Sequence, residues 1–289
     1  PAQFRAEFEC EFLGSVLTLV NPAKLKSMAY VKPIQERNDG LKIYEEPKEG
    51  HMYFMGVDVS RGKEIDYHAT TIIDMTETPY RVVAQYRNND IPPFLLPNML
   101  YPMAKRYNDA YMMIEINDIG QEISDILHNE MEYENLLTTS VRGRKGQVMD
   151  GGFGNFDTQR GIRMSPKVKR VGCAMLKELI ENDKVIIEDY HIINELASFV
   201  SKKQSYEAEV GHHDDLVTTL ILFAWSSTQP YFKDLTDINI RDKLYKQKIE
   251  KLEEELMPFG FLSDAAEEET RFTDSEGTVW NVVDDEPRL

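Results

Sequence analysis

A strand-forming run that ends close to a carboxylate constrains this chain more than any other feature. Residues 51–60 read HMYFMGVDVS, and Asp58 is the one acidic side chain among them. A carboxylate beside Tyr, Phe, Met and Val costs free energy unless a positive charge meets it. A metal ion is the first candidate, and a turn cap or an ion pair with Arg61 or Lys63 is the alternative.

The pattern around this run predicts alternating strands and helices. Three consecutive strands with short connections indicate an antiparallel meander over residues 53–59, 69–74 and 80–87. The pattern then predicts a helix, a fourth strand that holds Glu115, and a second helix over residues 92–107, 110–116 and 120–131. Further on, Ser165 and Pro166 form a good helix start, and Asp215 opens a helix that is apolar on all sides and therefore buried.

This order of elements resembles the ribonuclease H-like fold, an α/β fold of the resolvase and integrase type with a mixed central sheet flanked by helices. In that layout the first and fourth strands are neighbours, so Asp58 and Glu115 are expected to meet at the sheet centre. The buried late helix crosses the sheet and brings Asp215 to the same point. The expected fold therefore brings together Asp58, Glu115 and Asp215, which are far apart in the sequence.

Three carboxylates at one point predict a metal site. They repel one another and raise one another's pKa unless divalent cations neutralise them. Ligands that are all oxygens favour Mg²⁺, with Mn²⁺ as a substitute, over zinc. Two such ions can activate a water and stabilise the leaving oxygen of a phosphodiester. Asp58, Glu115 and Asp215 are thus the candidate catalytic residues and metal ligands for phosphodiester hydrolysis.

Three further residues could support this site: Asp66, His213 and Asp214. Asp66 either holds a second metal or orients a water, or it is a turn residue. His213 is either an orienting group or proton shuttle, or a structural histidine. For Asp214, the alternative to a role in the site is the N-cap of the buried helix.

The net charge restricts how this chain can bind DNA. Lys and Arg number 33 against 50 Asp and Glu, a formal net charge of −17, which argues against binding through bulk charge. A local basic cluster in a glycine-rich stretch is the candidate contact: Arg142, Arg144, Lys145, Arg160, Arg163, Lys167, Lys169 and Arg170. It leads into the helix at Pro166, whose backbone N–H groups and dipole favour phosphates. A solvated flexible hairpin is the alternative.

Four segments together resemble the C-terminal nuclease domain of the large terminase subunit of T-even-type tailed bacteriophages: FMGVDVSRGKEIDYHATTIID, MMIEINDIG, VGCAMLKELIENDKVII and GHHDDLVTTLILFAWSSTQ. The resemblance implies a Mg²⁺-dependent endonuclease that cuts concatemeric double-stranded DNA, with Asp58, Glu115 and Asp215 as its carboxylate triad. It also implies a portal protein, a small terminase subunit and an upstream ATPase domain as partners. The implied location is the host cytoplasm.

The chain is expected to be a soluble piece of a longer protein with three parts. Residues 1–50 read as a linker and the remnant of an upstream ATPase region, residues 51–232 as the nuclease domain, and residues 233–289 as an acidic C-terminal helix and tail. No GxxxxGK[ST] phosphate loop occurs, so ATP is not expected to bind this piece. Its 2 cysteines support neither a disulfide framework nor a zinc site.

Two other functions compete with a nuclease. The GVDVSRG run also resembles the first phosphate loop of actin-like sugar kinases and ATPases, but no second glycine-rich phosphate motif follows. A non-catalytic docking module of the packaging motor is the other alternative. In that case the acidic tail and the helix near Tyr245 would bind the portal or another part of the motor. Tight ATP binding would favour the first, and metal-dependent cleavage of DNA would favour the nuclease.

Overall fold

A seven-stranded mixed sheet organises the first of two compact units, Pro1–Ile240, of this computed structural model. The structure describes residues 17–60, 67–142, 146–150, 158–202, 205–237, 271–273 and 279–281. The strands of this unit, in chain order, are β1 Gln35–Glu36, β2 Leu41–Ile43, β3 Tyr53–Asp58, β4 His68–Asp74, β5 Tyr80–Asn88, β6 Tyr111–Ile114, β7 Thr138–Val141, β8 Gln147–Asp150, β9 Thr158–Arg160, β10 Val185–Ile186, β11 Phe199–Lys202 and β12 Ser205–Ala208. Its helices are α1 Pro22–Ser27, α2 Pro97–Arg106, α3 Gly120–Asn129, α4 Pro166–Glu181, α5 Tyr190–Ser198 and α6 Asp215–Ser227.

The main sheet has the strand order β1-β2-β5-β4-β3-β6, and β10 pairs with β5. Strands β3, β4 and β5 form the predicted antiparallel meander, while β6 runs parallel to β3 and β10 runs parallel to β5. The α/β fold with a mixed sheet and flanking helices is therefore confirmed, as is the adjacency of the strands that carry Asp58 and precede Glu115. Smaller sheets join β8-β7-β9 and β11-β12.

Two apolar cores cover the two faces of the sheet. On β3, Phe54 faces the core that holds residues of α4, α5 and α6, whereas Met55 and Val57 face the core that holds residues of α2 and α3. A strand buried on both faces is a continuous apolar run because neither face meets water. This double burial explains the composition of residues 53–57.

The main sheet also includes residues that the sequence analysis assigns to a linker. Within residues 1–50, β2 pairs antiparallel with β5, and β1 pairs antiparallel with β2. Leu19, Val20 and Leu25 lie in the core beside the helices of one sheet face. Residues 19–43 are therefore part of the packed unit.

Two local features follow directly from sequence signals. The Ser165 side chain accepts a hydrogen bond from Val168 N at 3.3 Å, and Pro166 is the first residue of α4, as predicted. Helix α6 is buried from Leu216 to Ser226, which agrees with its apolar character on all sides. Among the described residues, no helix has the length and apolar character needed to cross a membrane.

The second unit, Arg241–Leu289, is described in two short strands. Strand β13 spans Arg271–Thr273 and pairs antiparallel with β14, which spans Val279–Asn281. Strand β14 therefore has a partner within its own unit. The predicted helix near Tyr245 lies outside the described residues.

Candidate active site

Asp58 and Glu115 leave neighbouring strands at the same end of the sheet. Val57 of β3 pairs with Ile114 of β6 in parallel register. One residue further on, the Glu115 backbone N–H donates to the Val57 carbonyl at 2.9 Å. Because the two strands run side by side in the same direction, their terminal carboxylates lie together at the carboxyl ends of the strands.

Helix α6 brings Asp215 to this edge. Asp215 is the first residue of the helix, and the helix packs on β3, where the Phe54 and Phe223 rings meet at 5.2 Å between centroids. Oδ2 of Asp215 accepts a hydrogen bond from Tyr67 N at 3.3 Å. The start of α6 is thus connected to the residue that precedes β4.

The electrostatics of these acids show that they share one environment. Burial raises the pKa of Asp58 well above its usual range, and repulsion from Glu115, Asp215, Asp214 and Glu195 raises it further. Burial also raises the pKa of Glu115 to about 6, although a hydrogen bond from Asn117 and the Lys169 ammonium oppose the shift. Like charges that perturb each other in this way call for a cation.

The donor set suits a hard divalent cation, but the described residues do not form a closed cage. Carboxylate oxygens are the ligands that Mg²⁺ and Mn²⁺ prefer. Among the residues that the structure describes, no group of three or more His, Cys, Asp or Glu side chains is arranged to hold a metal ion. The three predicted ligands have the oxygen donors that such an ion prefers and act on one another's pKa at one edge of the sheet, but in the described residues they do not form a group that holds an ion.

The supporting residues differ in what surrounds them. Asp66 lies outside the described residues. His213 Nδ1 lies 3.7 Å from Asp215 Oδ2, which is longer than a hydrogen bond, and its ring packs edge-on against Tyr67 at 5.1 Å. Asp214 occupies the N-cap position of α6 without a side-chain cap hydrogen bond in the described part of the chain, and its Oδ2 lies 3.8 Å from Lys169 Nζ.

Four residues of the predicted basic cluster fall into two groups in the structure. Arg142, Arg163 and Lys167 lie near Gly146 and Gln147 at the start of β8, where Arg142 N donates to the Gly146 carbonyl and Arg163 N donates to the Gln147 side chain. A Cβ on Gly146 would lie 3.3 Å from Lys167 Nζ, so this lysine packs on Gly146. Lys169, by contrast, faces the carboxylates.

Of the four remaining basic residues, Arg160 and Arg170 lie in the described part of the chain. Arg170 is exposed on α4, and the Arg160 carbonyl accepts a hydrogen bond from the Ser124 hydroxyl of α3 at 3.0 Å. Arg144 and Lys145 lie outside the described residues. The cluster therefore supplies a basic edge along the start of α4, with Lys169 turned towards the acids.

The sequence analysis missed a fourth carboxylate, Glu195 of α5. Its side chain is buried and accepts hydrogen bonds from Leu216 N at 2.9 Å and Val217 N at 3.1 Å. Burial raises the pKa of Glu195 to about 8, although Arg87 and the two backbone N–H groups oppose the shift. An acid inside the apolar stripe of Ile192 and Leu196 was the signal that could have revealed it.

The raised pKa values predict how stability depends on pH. Because Glu115 and Glu195 bind protons more tightly in the folded chain, their contribution to stability is complete below their unfolded pKa of about 4.3 and is lost as pH rises. The free energy of unfolding of the metal-free protein should therefore fall as pH rises through about 6 and then about 8.

Chemical denaturation at pH 5, 6.5 and 8 would measure this effect. Glu195→Gln, which cannot ionise, should show a smaller fall than the wild type between pH 5 and 8. The exposed Glu178, which pairs with Lys184, provides the control variant Glu178→Gln, whose pH dependence should match the wild type. Equal pH dependence in wild type and Glu195→Gln would contradict the assignment of the effect to Glu195.

Comparisons with known proteins agree with this architecture. A family model described as the terminase RNaseH-like domain matches residues 55–225, a span that includes Asp58, Glu115 and Asp215. The large terminase nuclease of thermophilic phage G20c with bound magnesium is 19% identical and has a TM-score of 0.55, covering 73% of this chain and 98% of that chain. The same nuclease with bound cobalt gives a TM-score of 0.53 at 19% identity, with the same coverage. At this identity, the likeness to solved structures supports the fold alone.

Proposed function

Since this chain belongs to the terminase RNaseH-like domain family, we propose that it is the metal-dependent endonuclease of a viral DNA-packaging terminase. It hydrolyses phosphodiester bonds of concatemeric double-stranded DNA by a two-metal mechanism with little sequence specificity. The proposal is supported by the parallel pairing of β3 with β6, which end beside Asp58 and Glu115, and by the repulsion from Glu115 and Asp215 that raises the pKa of Asp58.

The three carboxylates are the proposed metal ligands. Asp58 is the central one, because Glu115 and Asp215 both raise its pKa. Mg²⁺ bound there would supply Lewis-acid chemistry for the phosphate oxygens and for a nucleophilic water. Mn²⁺ is expected to substitute, and the magnesium and cobalt in the G20c nuclease structures support a divalent ion.

The neighbouring residues have supporting roles in this proposal. Asp214 and Asp66 add negative charge for a second ion, and His213 orients the Asp215 carboxylate or relays a proton. Lys169 offsets part of the negative charge, since its ammonium lowers the pKa of Glu115 and lies 3.8 Å from Asp214 Oδ2. It is therefore a candidate contact for the phosphate that is cut.

The simplest test of the proposal uses plasmid DNA. Purified protein with Mg²⁺ or Mn²⁺ should convert supercoiled plasmid to nicked and then linear forms, and EDTA should stop the reaction. Sequencing of the ends should show little base preference. Binding of ATP without any metal-dependent cleavage would contradict the proposal and favour the actin-like alternative.

The basic edge at the start of α4 is the proposed DNA-binding surface. Replacing the exposed residues Arg163, Lys167 and Arg170 with Ala should weaken binding at every sequence, because these side chains meet phosphates rather than bases. The slope of log affinity against log salt should become shallower by about 2 to 3, because each phosphate that the protein no longer neutralises reduces the slope by about 0.9.

A matched control removes three positive charges elsewhere. Lys105, Lys177 and Lys184 are partly exposed and pair with Asp109, Glu181 and Glu178. The corresponding triple alanine variant changes the net charge equally and should leave the salt slope close to that of the wild type. An equally shallow slope in both triple variants would assign the effect to net charge and reject the surface.

Membership of the family supports further parts of the proposal. We propose that the domain works beside an upstream ATPase domain and with a portal protein and small terminase subunit, in the host cytoplasm. The family match favours a terminase over an actin-like ATPase half. A non-catalytic docking module is the remaining alternative, and the plasmid experiment separates it from a nuclease.

A further inference from the structure

Glu195 caps a helix to which it does not belong. The first N–H groups of an α-helix have no partner within the helix. In α6, the Asp214 side chain at the N-cap position makes no such bond in the described chain. Instead, Glu195 Oε2 accepts from Leu216 N and Val217 N, at 2.9 Å and 3.1 Å. These two residues directly follow Asp215, so Glu195 fixes the backbone next to that carboxylate.

Arg87 connects Glu195 to the other side of Asp215. Its Nη2 lies 3.6 Å from Glu195 Oε1, and its guanidinium carbon lies 3.8 Å above the centre of the Tyr67 ring. Such stacking is a favourable cation–π geometry. The Tyr67 backbone N–H then donates to Asp215 Oδ2 at 3.3 Å. Arg87 therefore contacts both Glu195, which accepts from the backbone of α6, and Tyr67, which donates to the Asp215 carboxylate.

The arrangement is not one that stability alone would favour. Glu195 is 3% exposed, and its Oε1 has no hydrogen-bond partner among the described residues. The Nε of Arg87 is also buried without one in the same part of the chain. A buried Glu–Arg pair of this kind can often be replaced by apolar residues at little cost in stability. A half-satisfied pair beside a candidate metal ligand therefore indicates a role in the site.

We propose that Glu195 and Arg87 are positioning residues that hold Asp215 in place for metal binding, an inference that rests on the proposed function. Glu195 acts on the main chain of Asp215 through the next two N–H groups. Arg87 acts on its side chain through Tyr67. Groups that orient a ligand in this way commonly contribute to metal affinity although they do not contact the ion.

The test compares variants that keep or remove the hydrogen-bond acceptor. Glu195→Met has a similar size but accepts no strong hydrogen bond, so it should raise the Kd for Mn²⁺ by about 10- to 100-fold. It should also lower kcat with little change in KM for DNA, and speed amide exchange at Leu216 and Val217. Glu195→Gln keeps an acceptor and should stay within about threefold of the wild type in Mn²⁺ affinity. Arg87→Met should weaken Mn²⁺ binding and leave the Leu216 amide protected.

The controls separate positioning from general stability. Glu178→Gln alters an exposed glutamate of α4 and should change none of these measurements. Wild-type Mn²⁺ affinity and kcat in Glu195→Met would overturn the positioning role. If Glu195→Met does not fold, Glu195→Asp replaces it. The side chain of this variant is one methylene shorter, so the variant protein should bind Mn²⁺ more weakly than Glu195→Gln does. Equal Mn²⁺ affinity of the two variants would overturn the role.

A different variant tests the proposed function separately from the positioning role. Asp58→Asn should lose both Mn²⁺ binding and cleavage whatever happens at position 195. Retention of both by Asp58→Asn would reject the metal site itself. Loss of both in Asp58→Asn, with wild-type behaviour in Glu195→Met, would reject the positioning role and leave the nuclease proposal standing.

Discussion

Asp58→Asn is expected to lower the rate of Mg²⁺-dependent DNA cleavage by about 10³-fold or more while making the metal-free protein more stable. A metal ion stabilises charge in the transition state by several kcal/mol, and each 1.4 kcal/mol, roughly, is tenfold in rate. An amide oxygen in place of the carboxylate removes the charge that attracts the ion. Cleavage of plasmid DNA and Mn²⁺ titration would measure this loss.

The opposite effect on stability follows from the same electrostatics. Burial and the neighbouring acids raise the pKa of Asp58, so its contribution to stability is present below its unfolded pKa of about 3.9 and is lost as pH rises. At neutral pH the carboxyl therefore costs free energy in the absence of metal. Asn removes that cost, so thermal unfolding of Asp58→Asn should occur at a higher temperature than in the wild type.

A surface aspartate provides the control for this pair of effects. Asp183 is exposed and pairs with Lys24, so Asp183→Asn should change neither cleavage nor Mn²⁺ binding. Undiminished cleavage by Asp58→Asn would falsify the assignment of activity to this edge of the sheet. A large fall in its melting temperature would instead contradict the electrostatic description of Asp58.

The sequence predicts the centre of the fold well because the centre is periodic and apolar. Strands β3, β4 and β5 are runs of strand-forming residues between turn signals, and the order of elements indicates that β6 lies beside β3. The acids stand out because Asp58 and Glu115 abut apolar runs. The start of α4 could also be predicted, because Ser165 and Pro166 are residue types that favour the first positions of a helix.

Other parts of the molecule depend on contacts that no local pattern specifies. Strands β1 and β2 are 2 and 3 residues long, which is too short for an alternation to be visible, and their pairing with β5 is long-range. The role of Glu195 arises from bonds to α6, 21 residues away. An acid in an apolar stripe predicts that a partner exists, but only the packing of α5 on α6 identifies the partner.

A second large effect is expected from Gly56→Ala, at the position where α6 crosses β3. A Cβ at this glycine would lie 2.7 Å from the Thr219 carbonyl oxygen and 3.2 Å from its Cβ, so the helix backbone would have to move. Added atoms in a well-packed core typically cost about 1–3 kcal/mol. Movement of α6 also displaces Asp215 from Asp58, and small misplacements can reduce catalysis by about 10²-fold.

The control for this effect is another glycine, whose replacement costs stability without moving α6. Gly50 has φ +72° and no heavy atom within 4 Å of an added Cβ, so Gly50→Ala is strained in its backbone alone, by about 1–2 kcal/mol. Both variants should melt at lower temperature, but below their melting points only Gly56→Ala should lose cleavage and Mn²⁺ affinity. Equal activity of the two variants at matched stability would mean that the position of α6 does not govern the site, because only the Cβ at position 56 presses on that helix.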